Sequence, residues 1–116
     1  MLAASVSFSD DPSTITQLWV TGQLSSADDV AMLQTVLGSV APGSRISLDL
    51  SALTALSDLG VQSLRAMLAS LRDVNDDLAV VVGRIELRAR LVLADLDRVA
   101  PILHTREQAS AVLLAA

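Results

Sequence analysis

The sequence predicts an α/β fold, and three observations lead to this prediction. Strand-like and helix-like segments alternate along the chain, which is the pattern of α/β proteins. Residues 78–82 form a continuous apolar run, typical of a strand that is covered on both faces. The strand predicted at residues 45–50 instead alternates apolar residues with Ser47 and Asp49, so one face of the sheet is less covered. We therefore expect a four- to five-stranded mixed sheet with helices mainly on one face.

The N-terminal part of the chain predicts two strands and a helix. Residues 14–21 are rich in β-branched side chains and are followed by a glycine, which indicates a strand. Residues 5–9 are expected to be a short strand that pairs with it through a turn at residues 10–13. A helix is predicted to begin at residues 25–29, where serine precedes acidic residues, and to end at Pro42 and Gly43. Its apolar residues at helical spacing are Val30, Leu33, Leu37 and Val40.

An amphipathic helix is predicted over residues 60–73, after the strand at residues 45–50 and a short turn. Apolar residues recur at helical spacing, and polar or small residues stand between them. A polar turn at residues 75–77 then leads into the apolar strand. We expect the buried stripe of this helix to be Val61, Leu64, Met67, Leu68 and Leu71, and its outward face to be Gln62, Arg65, Ala69 and Arg72.

The C-terminal part predicts two further helices and a short edge strand. Residues 86–96 form the first helix, with Glu86 and Arg90 at the i,i+4 spacing that favours an ion pair. Residues 101–104 are at most a short edge strand. Residues 105–108 (TREQ) are a capping box before a last helix, which carries Ala109, Val112 and Leu113 on one side.

Length and hydropathy bound the kind of protein that this chain can be. Its 116 residues suffice for one domain with a core of its own, and we expect a single domain over residues 1–116. Although 52% of the residues are hydrophobic, charges interrupt every apolar run well before the ~18 residues of a membrane span. Residues 1–5 lack the basic start of a secretory signal. We expect a cytoplasmic protein that does not insert into a membrane.

The composition also argues against several classes of function. A net charge of −5 and only two aromatic residues, Phe8 and Trp19, disfavour nucleic-acid binding. The absence of cysteine and the single histidine, His104, disfavour a thiolate or histidine metal site. The sequence has no glycine-rich phosphate loop and no serine, histidine and aspartate arrangement around His104. We therefore expect no enzyme, no metal and no cofactor.

The turn before Gly60 is the most informative candidate site. A junction from a strand to a helix gathers free backbone N–H groups and the positive end of the helix dipole, and it suits an anion or a partner's acidic side chain. Asp49 and Asp58 are expected to flank this turn. Ser57 or Asp58 is expected to cap the helix, and Asp49 either caps the adjoining loop or poises a hydroxyl or Mg²⁺ delivered by a partner. Leu59 is either an apolar anchor for a partner or part of the domain's own core.

Four segments of the chain, in the same order, resemble the STAS domain, the family of bacterial anti-sigma factor antagonists and of the cytoplasmic tails of anion transporters. The last of these segments has Asp95 where the family usually has glycine. The resemblance implies a STAS-like (SpoIIAA-type) α/β fold. The four segments are residues 20–25 (VTGQLS), 46–51 (ISLDLS), 60–64 (GVQSL) and 91–102 (LVLADLDRVAPI).

The chain departs from the phosphorylated members of this family in the loop before Gly60. In those members a serine or threonine next to the glycine accepts a phosphoryl group from a partner kinase, whereas this chain has Leu59 there. Three interpretations follow: a binder without a switch, a binder in which Asp58 supplies a permanent negative charge, or a switch that has moved to Ser57, the one candidate phosphorylation site.

The resemblance implies a regulatory protein that binds an anti-sigma factor, a kinase-like protein, and so frees a sigma factor for transcription. The alternative is an accessory subunit of a transport system that docks on an ATPase or a transporter. A third interpretation is a small ligand or a nucleotide at the helix N-terminus, which the charge of Asp58 opposes. We expect a monomer or a weak homodimer. The residues expected to bind the partner are Asp49, Ser57, Asp58, Leu59, Gly60, Gln62, Ser63 and Arg65.

Overall fold

The computed structural model describes residues 2–7, 15–40, 43, 45–74 and 77–115. The predicted turn at residues 10–13 lies outside these residues, as do Pro42 and most of the turn at residues 75–77. The elements are β1 (Leu2–Ser7), β2 (Thr16–Leu24), α1 (Ala27–Gly38), β3 (Arg45–Leu56), α2 (Asp58–Val74), β4 (Asp77–Val81), α3 (Ile85–Leu93), a 3₁₀ turn (Leu96–Arg98), β5 (Ile102–Leu103) and α4 (Arg106–Ala115).

The five described strands form one mixed sheet in the order β1-β2-β3-β4-β5. β1 pairs with β2 in antiparallel orientation. The pairs β2–β3, β3–β4 and β4–β5 are parallel, and each is joined through a helix, as parallel neighbours require. The predicted mixed α/β sheet is confirmed.

The helices divide unequally between the two faces of the sheet. The larger core cluster joins α1, α2 and α3 to one face, where Leu48 and Val80 are fully buried. A smaller cluster on the other face joins Ala79 and Val81 of β4 to α4. Helices lie mainly on one face, as predicted, and β4 is buried on both faces. Val112, however, is 43% exposed, so it does not share the buried side of α4 that was expected for it.

The predicted faces of α2 and the two predicted helix caps are confirmed. All five residues of the predicted α2 stripe are buried, and its four predicted outward residues are exposed. Ser26 caps α1 through a reciprocal capping box with Asp29. Thr105 and Gln108 form the second predicted capping box, because Gln108 N–H donates to Thr105 Oγ1 and Gln108 Oε1 accepts from Thr105 N–H. None of the described helices is both long and apolar enough to cross a membrane.

The predicted end of β3 was wrong: the strand does not stop near residue 50 but continues to Leu56. Its pairing with β2 shifts register twice, between Trp19 and Thr21 and between Gly22 and Gln23. Such irregularities change which residues face the core. Leu53 and Leu56 are therefore both buried although they are three residues apart. Because this spacing breaks the strict alternation of a strand, the sequence pattern did not predict the second half of β3.

The predicted helix over residues 86–96 was also too long at its C-terminal end. α3 ends at Leu93, and a 3₁₀ turn follows at Leu96–Arg98. Between them Asp95 adopts a left-handed conformation with φ 62°, which a right-handed helix does not allow. Arg90, which was expected to pair with Glu86, forms an ion pair with Asp58 of α2.

Candidate functional site

The candidate site lies where α2 begins, beside the C-terminal ends of β2 and β3. Ser57 precedes the helix, and its N–H donates to Leu24 O at 3.2 Å. Its hydroxyl donates to Ser25 O at 3.0 Å and accepts from Gly60 N–H at 3.1 Å. Ser57 therefore caps α2 and ties its start to the end of β2.

Gly60 is required at its position by a close approach of two backbones. It is buried, and a Cβ atom added there would lie 2.1 Å from Leu24 O and 3.1 Å from Leu56 Cδ1. Any side chain would push the first turn of α2 away from β2. The glycine of the family pattern thus has a steric role in this chain.

Asp58 is exposed and ion-paired. Its side chain is 96% exposed, and its Oδ1 lies 2.9 Å from Arg90 Nη2. The other terminal nitrogen of Arg90 donates to Leu56 O. Arg90 therefore links α3 both to the last residue of β3 and to the first residue of α2.

Leu59, which follows Asp58 in α2, extends outward. Its side chain is 49% exposed, so much of it stays outside the domain's own core. An open groove of about 330 Å³ runs between α2 and α3, and at its α3 side Leu93 is 85% exposed. The lining residues of the groove are Asp58, Val61, Gln62, Arg90, Leu93 and Ala94.

Most of the residues predicted to bind a partner are gathered at this corner. Gln62 lines the groove, and Arg65 is exposed one turn later on the same face, at the i,i+3 spacing. Ser63 is half-buried. We call the set Ser57, Asp58, Leu59, Gly60, Gln62, Ser63 and Arg65 the α2 corner.

Asp49 does not lie at the α2 corner, and the expectation that it flanks the same turn as Asp58 was wrong. Because β3 continues to Leu56, the rest of the strand separates Asp49 from Ser57. The Asp49 carboxylate faces α4, where its Oδ2 accepts from Arg106 Nε at 2.8 Å. Its Oδ1 accepts from Ser51 N–H at 2.9 Å. Of the two roles considered for Asp49, this contact is the capping of local backbone, but it lies inside a strand and not in a loop.

Two arginines make contacts with predicted site residues or with Trp19 that the sequence did not indicate. Arg90 reaches the α2 corner from α3, and Arg106 lies 4.4 Å from the ring centroid of Trp19 on the opposite face of the sheet. Both contacts join elements that are far apart in sequence, so no local pattern indicates them. Among the described residues, no group of three histidine, cysteine, aspartate or glutamate side chains is placed to hold a metal ion.

The chain matches a family model over most of its length. The family model described as "Mlab, STAS domain" matches residues 7–105. No curated protein matches the chain in sequence.

Solved structures share the fold, among them the following two. An anti-sigma factor antagonist from Mycobacterium paratuberculosis has a TM-score of 0.80 and 22% identity, with 97% of this chain and 94% of that chain covered. An uncharacterized protein of the DUF3478 family with a SpoIIAA-like fold, from Shewanella loihica PV-4, has a TM-score of 0.60 and 15% identity, with 97% and 93% covered. At these identities the likeness shows the fold alone.

Proposed function

Because the chain belongs to the STAS domain family, we propose that it is a protein-binding regulatory module, an anti-sigma factor antagonist. In this proposal it binds an anti-sigma factor and thereby frees a sigma factor for transcription. The observation that carries the proposal is the TM-score of 0.80, over 97% of this chain, to a protein that is described as an anti-sigma factor antagonist. We propose that the module acts in the cytoplasm and has no catalytic role.

The α2 corner is the proposed partner-binding surface. It combines a half-exposed apolar side chain, Leu59, with polar neighbours at Asp58 and Gln62. An exposed apolar residue within a polar rim is the usual composition of a protein contact. The backbone beneath it is fixed by the Ser57 cap and by the close packing of Gly60, so the surface is ordered before a partner binds, which reduces the entropy cost of association.

We further propose that this surface is not switched by phosphorylation at the usual position. Leu59, next to Gly60, has no hydroxyl to accept a phosphoryl group. The Ser57 hydroxyl is half-buried and engaged both as donor and as acceptor. A phosphoryl group on Ser57 would remove the donated bond to Ser25 O and crowd the helix cap. These contacts support binding that is constitutive or controlled by expression.

The proposal is tested by affinity capture from the lysate of the native host, with mass spectrometry of the captured proteins and of the bait. The baits are the wild-type chain, Leu59→Arg and the control Leu114→Arg. Leu114 is a leucine of similar exposure, 53% against 49%, but it lies on α4. We expect wild type and Leu114→Arg to capture a kinase-like anti-sigma factor, Leu59→Arg to lose it, and no phosphate on Ser57.

Two other results would change the proposed function or the proposed binding surface. Capture of transport ATPase or permease components in place of an anti-sigma factor would favour the accessory-subunit alternative. If Leu59→Arg captured the same proteins as wild type while its melting temperature was unchanged, the partner surface would not lie at the α2 corner.

A further inference from the structure

Resting on the proposed function, we infer that Arg90 is part of the partner-binding surface and keeps the α2 corner permanently competent to bind, because it neutralises Asp58. The chain would thus replace a phosphorylation switch with a fixed ion pair. The charge at the first residue of α2 is then set by the packing of α3 against α2 and not by a kinase.

Arg90 is held at two points on either side of Ser57. One terminal nitrogen donates to Leu56 O, and the other lies 2.9 Å from Asp58 Oδ1. The side chain of Arg90 is 40% exposed, whereas that of Asp58 is 96% exposed. The guanidinium is therefore a partly covered, oriented group, and the carboxylate that it pairs with stands at the surface where a partner would meet it.

Without Arg90, the negative charge of Asp58 would imitate part of the charge that phosphorylation adds. A phosphoryl group adds about −1.5 to −2 charges, and a free carboxylate at the first residue of α2 would add a single negative charge at the same helix end. With Arg90 in contact, the pair carries no net charge. Of the three interpretations left open by the sequence, this geometry favours a binder without a switch over one in which Asp58 imitates a phosphate.

Each of the two helices that form the neutral pair also carries an exposed leucine. Leu59 of α2 is 49% exposed and Leu93 of α3 is 85% exposed, and Leu93 lines the same groove as Asp58 and Arg90. The neutral pair and these leucines fit an apolar, uncharged segment of the anti-sigma factor, whereas the exposed Arg65 makes the next turn of the α2 corner positive. Loss of Arg90 would leave the Asp58 carboxylate without its cation, which costs free energy when an apolar partner excludes water from it.

The test is isothermal titration calorimetry of the full chain with the captured anti-sigma factor, purified. The variants are Arg90→Ala, Asp58→Asn and the double variant, with Arg98→Ala as the matched control. Arg98 also forms an exposed ion pair, with Asp95 at 3.8 Å, but it lies in the 3₁₀ turn. Arg90→Ala is expected to raise Kd by about fivefold to tenfold. The double variant is expected to recover most of that loss, because it removes both charges of the pair, and Arg98→Ala is expected to stay within about twofold of wild type. Asp58→Asn alone leaves the Arg90 guanidinium without its carboxylate and is expected to weaken binding less than Arg90→Ala does, because the guanidinium keeps its bond to Leu56 O.

Rescue by the double variant separates a charge effect from a merely structural one. If Arg90 acted only by holding Leu56 O, Asp58→Asn would restore nothing, so a double variant as weak as Arg90→Ala would overturn the inference. Wild-type affinity in Arg90→Ala would overturn it as well. In both cases wild type still binds, and the proposed function stands. If wild type does not bind an anti-sigma factor at all, the proposed function fails and the inference fails with it.

Discussion

Gly60 of α2 and Leu24 of β2 are packed so closely that a Cβ atom at residue 60 would lie 2.1 Å from the Leu24 carbonyl oxygen. The same oxygen accepts a hydrogen bond from Ser57 N–H. One backbone group at the end of β2 therefore sets both the position and the cap of α2. The α2 corner depends on this contact because its exposed side chains project from the turn that it fixes.

Gly60→Ala is expected to lower the free energy of unfolding by about 2–3 kcal/mol, because the obstructing atoms are backbone and cannot rotate away. The measurement is urea denaturation followed by circular dichroism. Gly38→Ala is the matched control: it lies at the end of α1 with nothing within 4 Å of an added Cβ. Alanine there is expected to stabilise by about 0.5–1 kcal/mol. Equal stability of Gly60→Ala and wild type would contradict the packing of α2 on β2.

The sequence predicted burial correctly in the segments where apolar residues follow one repeating pattern. The apolar run at residues 78–82 and the five-residue stripe of α2 each follow a single pattern over their whole length, and both are buried as expected. The second half of β3 follows no single pattern. Its two register shifts against β2 depend on contacts with another strand, and the residues of β3 alone do not indicate them.

The sequence likewise predicted the local features of the candidate site but not its long-range contacts. Ser57 to Gly60 are contiguous, and the cap at Ser57 is a local property that the sequence indicates. Arg90 contacts Asp58 from 32 residues away, so its role follows from how α3 packs. Asp49 shows the converse: it is near the turn in sequence, but the extended strand and the alternation of side chains place it on the α4 face.

Asp95 is the one described residue other than glycine that has a positive φ, 62°. Asp95→Gly is expected to raise the free energy of unfolding by roughly 0.5–1 kcal/mol, since glycine adopts this conformation without a steric penalty. Little is lost with the exposed Asp95–Arg98 pair at 3.8 Å. Asp95→Val is expected to lower stability by about 1–2 kcal/mol, and thermal melts of the three proteins give the comparison. A valine variant as stable as wild type would contradict the left-handed turn.

Asp29 provides a pH-dependent prediction. Hydrogen bonds from the backbone N–H groups of Ser25 and Ser26 hold the pKa of the Asp29 carboxyl below its usual value. Because the folded pKa is the lower one, the stabilisation is complete above the unfolded value of about 3.9 and is lost as pH falls through the folded value. Asp29→Asn is therefore expected to be less stable than wild type at pH 5–7, by a difference that shrinks below about pH 4.

Denaturant unfolding of wild type and Asp29→Asn between about pH 2 and 7 measures this difference, and an NMR titration of the Asp29 carboxyl measures its pKa directly. A difference in stability that stays constant over the whole range would show that the Asp29 charge does not contribute to the α1 cap.

The Asp49–Arg106 pair separates the stability of the α4 face from binding at the α2 corner. Arg106 Nε lies 2.8 Å from Asp49 Oδ2, and Arg106 Cζ lies 4.4 Å from the ring centroid of Trp19. Trp19 is the only tryptophan of the chain. Arg106→Ala is expected to change the fluorescence of Trp19. A double-mutant cycle with Asp49→Ala is expected to give a coupling of about 0.5–1 kcal/mol in the free energy of unfolding.

Loss of the Asp49–Arg106 pair is not expected to weaken partner binding, because Asp49 and the α2 corner lie on different faces of the sheet. Asp49→Ala is expected to bind the captured anti-sigma factor within about twofold of wild type, although Ser51 N–H loses its acceptor and stability falls by about 1–2 kcal/mol. Calorimetry well below the melting temperature of the variant keeps the two effects apart. If Asp49→Ala lost the partner as Leu59→Arg is expected to do, the partner surface would have to include the α4 face, and the α2 corner alone would not explain binding.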